Sequence, residues 1–174
     1  MLTVRCTAKL LRRLRVSPGP SPATSTGRLG DWYATILPFR PAHLILLVNE
    51  PTRLAAVLPA RELATLPTRI PEAIAKVLRE LGASADTIGS ERREMTEIQF
   101  GRTASRSVLG TMNDYVFLMQ WRMAREVASN LLEVAMDLNH TPAGPLKYER
   151  PDDVVRRTWS RSLTGGGSRP GECS

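Results

Sequence analysis

Apolar positions along the chain change period twice. Leu2, Val4 and Cys6 alternate with Thr3 and Arg5, the two-residue period of a strand. Thr7 is a candidate helix cap for 8–14, where Leu10, Leu11 and Leu14 share one face. Residues 16–28 are dense in Pro, Gly, Ser and Thr and read as a loop. Strand patterns return at 29–37 and at 43–49, the latter apolar without interruption and so expected to be buried on both faces. Glu50-Pro51-Thr52 reads as a tight turn into a returning strand at 53–58.

From Pro59 onward the period is helical. A short helix over 60–66 is expected to stop at Pro67, and the next to open at Pro71 and run to Leu81 with Gly82 as its cap. Ser84 caps a helix reaching about residue 93, and 97–101 alternate as a short strand. Leu109, Met112, Val116, Met119, Met123, Val127, Leu131, Val134 and Leu138 then step by three or four, one stripe of a single long helix. The segment His140 to Pro145 ends it, and a last helical turn is expected over 152–159. These elements predict an α+β fold: a small, mainly antiparallel sheet packed against a long C-terminal helix and shorter helices. Residues 1–160 are expected to form one domain, with a disordered Gly/Ser-rich tail at 161–174.

Charge sharpens this picture in one place. The 174 residues carry 24 basic and 17 acidic side chains, net +7. Residues 1–30 contribute +6 with no acid, 31–145 contribute −1, and 146–174 contribute +2. Arg12, Arg13 and Arg15 therefore form a candidate nucleic-acid-binding face, or simply the solvated side of a short helix. An Arg-rich, acid-free start is also the composition of a transit peptide, but its strand and amphipathic helix belong with the fold. The longest aliphatic run, 44–48, is too short to span a bilayer, so no membrane and a cytoplasmic location are expected. Two cysteines, Cys6 and Cys173, and two histidines supply no metal site. No cofactor motif is present.

The densest polar run precedes the long helix. Arg102, Thr103, Ser105 and Arg106 could cradle an anion at a helix start, or Ser105 could merely cap it. The phosphate-loop spacing of glycine and lysine is missing. Asp31, Trp32 and Tyr33 place an acid beside two amphipathic rings, suited to a pocket or to core. Asn113 and Asp114 interrupt the apolar stripe, either hydrogen-bonded inside it or facing a cleft. His43 and His140 bring no nucleophile–base signature with them.

The opening MLTVRCTAKLLRRL, the segment Leu29-Gly30-Asp31-Trp32-Tyr33-Ala34, the hairpin around 46–59 and the run Arg106 to Asp114 resemble an uncharacterised bacterial family of small proteins. That family is described only as a domain of unknown function, and the resemblance covers roughly residues 1–150. It implies no activity, cofactor or ligand. Polar and aromatic clusters without catalytic signatures favour a non-enzymatic binding or accessory module. Its partner is open: a protein, a second copy or nucleic acid. The alternative is nucleic-acid binding through Arg12, Arg13, Arg15, Arg102 and Arg106. A third class is an enzyme on a phosphorylated small molecule, with Asp31 or Asp114 as base. It requires those acids to share one pocket with Arg102 and Arg106.

Overall fold

A computed structural model describes residues 1–19, 22–125 and 130–164. Its fold is α+β, and the sheet is mixed rather than mainly antiparallel. Five strands, β1 (Leu2–Cys6), β2 (Trp32–Leu37), β3 (Leu44–Asn49), β4 (Ala55–Pro59) and β5 (Ile98–Arg102), lie in the order β4-β3-β2-β1-β5. β2, β3 and β4 are an antiparallel meander, whereas β1 runs parallel to both β2 and β5. The reason lies in the connections. A helix, α1 (Ala8–Leu14), separates β1 from β2, and helices α2 (Leu66–Glu80) and α3 (Ala85–Glu94) separate β4 from β5. Crossovers of that length carry the chain back to start a parallel strand, which a two-residue turn does not.

Register sorts the sheet into two faces. Val4 stands beside Trp32, and Arg5 beside Tyr33, which in turn faces Val48. β3 is buried throughout, as its unbroken apolar run requires. β4 forms one edge, and that edge is closed by a side chain. Asn139 accepts from the Ala55 N–H at 2.6 Å and donates to the Ala55 carbonyl at 3.0 Å, taking the place of a neighbouring strand.

Several expected boundaries move. The helix anticipated over 60–66 is a three-residue turn, Leu63–Thr65, and α2 begins at Leu66 with Pro67 in its first turn, where a missing N–H costs nothing. Pro71 lies inside α2 rather than at its start. Gly82 takes φ +84° beyond that helix, and the Gly82 and Ala83 N–H groups close on Arg79 and Leu78, so a residue free to be left-handed belongs there. Ser84 caps α3 through the Thr87 N–H. Thr7 does not cap α1: its hydroxyl pairs with that of Thr35 at 3.1 Å.

Among the described residues the apolar stripe over 105–138 is divided between two helices, α4 (Arg106–Arg125) and α5 (Leu131–Asn139), rather than carried by one long helix, and Val127 lies outside the described residues. Asn130 is extended (φ −130°, ψ 106°) and its side chain caps α5 through the Leu132 N–H. Spacing of apolar residues survives such an interruption, so periodicity alone did not reveal it. The final helix, α6 (Pro151–Thr164), is longer than the expected turn. Residues 165–174 of the anticipated tail lie outside the described residues.

Candidate functional site

The three residues Asp31, Trp32 and Tyr33 enter β2 from a turn held by Asn49, whose buried amide donates to the carbonyls of Leu29 and Asp31. Asp31 is buried and fully engaged. Its Oδ2 receives Arg5 Nε at 2.8 Å, and its Oδ1 receives both the N–H and the hydroxyl of Ser25, each at 2.8 Å. The Ser25 hydroxyl in turn accepts the Thr3 N–H. The Pro/Ser-rich loop is thereby strapped across β1, and Pro22 lies over Gly101, where an added Cβ would come within 2.6 Å of the Pro22 ring. Trp32 is core. Neither Asp31 nor Trp32 faces a cleft.

Tyr33 is the member of this group that reaches the start of α4. Its hydroxyl accepts the Ser105 N–H at 3.1 Å and donates to Glu50 at 3.4 Å. Burial pushes its pKa up. Ser105 accepts the Val108 N–H and so acts as a helix cap. Beside them lies Arg53, which precedes β4 rather than opening it as the strand pattern over 53–58 implies. Arg53 is 8% exposed, holds the left-handed φ of +59°, and gives one guanidinium bond to the Ser107 hydroxyl at 3.0 Å. Its backbone carbonyl receives the buried Tyr115 hydroxyl at 3.0 Å, while its Nε is buried without a partner. Desolvation lowers its pKa, opposed by Glu50. Tyr33, Glu50, Arg53, Ser105, Ser107 and Tyr115 form the polar seam between the β3–β4 turn and α4. The turn chemistry at 50–52 hid it, because a turn signal says nothing about which helix will land on it.

Asn113 and Asp114 are not part of the buried stripe. Val108, Met112, Tyr115 and Met119 turn inward, and Asn113 and Asp114 lie on the exposed side of α4 with Arg106, Gly110, Phe117 and Trp121. The shared pocket that an enzyme acting on a phosphorylated small molecule would need from these residues therefore does not assemble: Asp31 is enclosed beneath the loop, while Asp114 faces outward two turns along α4 from Arg106. Cys6 is buried and its thiol is pushed up to about 12, far from a nucleophile's range. Among the described residues no group of three or more His, Cys, Asp or Glu is placed to hold a metal ion.

The basic residues behave differently. Arg12 and Arg15 of the α1 segment and Arg102 at the end of β5 surround one surface depression of about 360 Å³, together with Ala8, Leu11 and Val16. Arg15 reaches it from a left-handed backbone (φ +56°) that ends α1. Among the described residues no carboxylate lines the depression. Arg12, Arg13, Arg15, Arg102 and Arg106 are all exposed, and none belongs to an ion pair among the described residues. The guanidiniums of Arg5, Arg92, Arg122, Arg150, Arg156 and Arg157 have acidic partners, while the exposed Arg40, Arg61, Arg79 and Arg93 also have no ion pair among the described residues, so what distinguishes Arg12, Arg15 and Arg102 is their place around one depression. Arg13 and Arg106 lie outside the depression, as does the half-buried Thr103.

Residues 3–154, which include the strapped loop, all of the sheet but Leu2, and the depression, match the model of a family described as a domain of unknown function, DUF6933. The chain belongs to that family. No curated protein and no solved structure gives a match. No helix among the described residues is long and apolar enough to cross a membrane.

Proposed function

We propose that this DUF6933 chain is a non-enzymatic binding module that holds the phosphate backbone of a nucleic acid at the Arg12–Arg15–Arg102 depression. The observation that carries the reading is the convergence, from two distant segments, of three exposed guanidiniums with no carboxylate among them. Three like charges on one small surface repel one another, and an anion seated between them removes that repulsion. Guanidinium is the side chain best shaped for phosphate, through paired N–H donors. The lining contains no aromatic ring, so stacking on bases is not part of it. Recognition is of charge rather than sequence. The reading treats residues 1–160 as one domain working in the cytoplasm.

Fluorescence anisotropy of a labelled duplex oligonucleotide, titrated over a range of salt, tests it. Three phosphate contacts predict a slope of log K against log salt of about −2.7. Each of Arg12→Gln, Arg15→Gln and Arg102→Gln lowers that slope by about one phosphate contact. Absence of binding at low salt, or binding that the triple variant leaves unchanged, overturns the proposal.

A further inference from the structure

Of the three large hydrophobic side chains exposed among the described residues, two, Phe117 and Trp121, stand on the outer face of α4, and the third is Tyr148. Phe117 is 67% exposed and Trp121 58%. At about 100° per residue, Arg106, Gly110, Asp114, Phe117 and Trp121 fall within an arc of about 80°. All five are exposed. A Cβ built on Gly110 would meet nothing within 4 Å, so the space in front of this face is open at that point. Arg106 and Asp114 stand four residues to either side of Gly110 with opposite charge. Neither is in an ion pair among the described residues.

We propose that α4 is the contact face of a two-fold homodimer in which the two helices cross antiparallel at Gly110. A two-fold axis at that point sets each residue n places after Gly110 opposite the residue n places before it on the other chain. Arg106 then faces Asp114 of the partner subunit, and the same pair forms a second time by symmetry. Both pairs lie about 6 Å along the axis from the crossing, within reach of a guanidinium. Glycine at the crossing lets the helix axes approach to about 8 Å, the near end of the usual range. Phe117, about 10 Å beyond the crossing, covers the start of the partner helix. Burial of Phe117 against the start of the partner helix supplies the attraction, Trp121 lying beyond that helix, and the charges set register and direction. A second copy is the occupant this pattern selects. Symmetry alone provides the complementary charges at the required spacing, which an unrelated partner would have to carry independently.

Sedimentation velocity on the full chain over a concentration series reads the oligomeric state. The expected result is a monomer–dimer equilibrium that Arg106→Asp and Asp114→Arg each weaken by about tenfold or more, since each sets like charges face to face. The double variant Arg106→Asp/Asp114→Arg restores the wild-type equilibrium. Gly110→Gln favours the helix itself but obstructs the crossing, so it gives a stably folded monomer. A chain that is monomeric throughout overturns the proposal. So does a dimer indifferent to the single exchanges, or a double variant no better than either single one.

Discussion

Replacing Asp31 by Asn keeps the size of the side chain and removes its charge. The native carboxylate serves two customers at once: Arg5 Nε on one oxygen and the Ser25 N–H and hydroxyl on the other, each at 2.8 Å. Asparagine still offers an acceptor to Ser25, but its NH₂ then confronts Arg5, donor to donor. Removing one member of a fully buried ion pair costs about 3–5 kcal/mol. The Arg5 side chain is 17% exposed and its partner 3%, so water recovers part of the lost interaction and the expected loss is about 2–3 kcal/mol. For a chain of this size that is a fall in Tm of about 4–12 °C. Urea unfolding followed by circular dichroism should show a lower midpoint at unchanged slope. In the double variant Arg5→Met/Asp31→Asn the stranded cation is gone, and the two losses should be less than additive by about 1 kcal/mol or more. Phosphate-backbone binding should persist in the folded fraction of Asp31→Asn, Arg5→Met and the double variant, because the depression includes neither Asp31 nor Arg5. An Asp31→Asn protein within about 0.5 kcal/mol of wild type that has also lost oligonucleotide binding would refute the reasoning and make Asp31 a ligand-facing carboxylate after all.

Asn139→Ala should strip both polar partners from Ala55 and leave two buried main-chain groups unpaired, a loss of about 2–5 kcal/mol. Amide exchange at Ala55 should accelerate ahead of its β3 neighbours, and an unchanged rate would mean that the β4 edge is closed by something else. Glu91 gives a dependence on pH. It is buried beneath the 28–29 turn, and desolvation raises its pKa despite hydrogen bonds from the Arg28 and Leu29 N–H groups. The folded chain therefore keeps this proton after the unfolded chain has released it. The contribution of Glu91 is complete below the ordinary carboxyl pKa and is lost as pH rises through the raised one. Glu91→Gln should show a flatter fall of Tm with rising pH over that window, and parallel curves for the two proteins would count against the assignment.

Much of the secondary structure was legible because it follows from local rules. Alternation at Leu2, Val4 and Cys6, the apolar run of β3, Ser84 as a cap and Gly82 with its positive φ are dictated by side-chain period and by which residues tolerate a given backbone angle. The concentration of basic charge before residue 31 was equally a property of the sequence. Partnership was not. Strand direction depended on where α1 and the α2–α3 pair carry the chain, and the split of the C-terminal stripe depended on the extended backbone at Asn130. Asp31 and Arg12 looked equally like candidates, as isolated polar residues do. Only the folded arrangement enclosed Asp31 between Arg5 and Ser25 while leaving Arg12, Arg15 and Arg102 exposed around one depression. The physical reason is that a side chain's chemistry is local, whereas its solvent exposure and its neighbours are set by contacts between residues far apart in the chain.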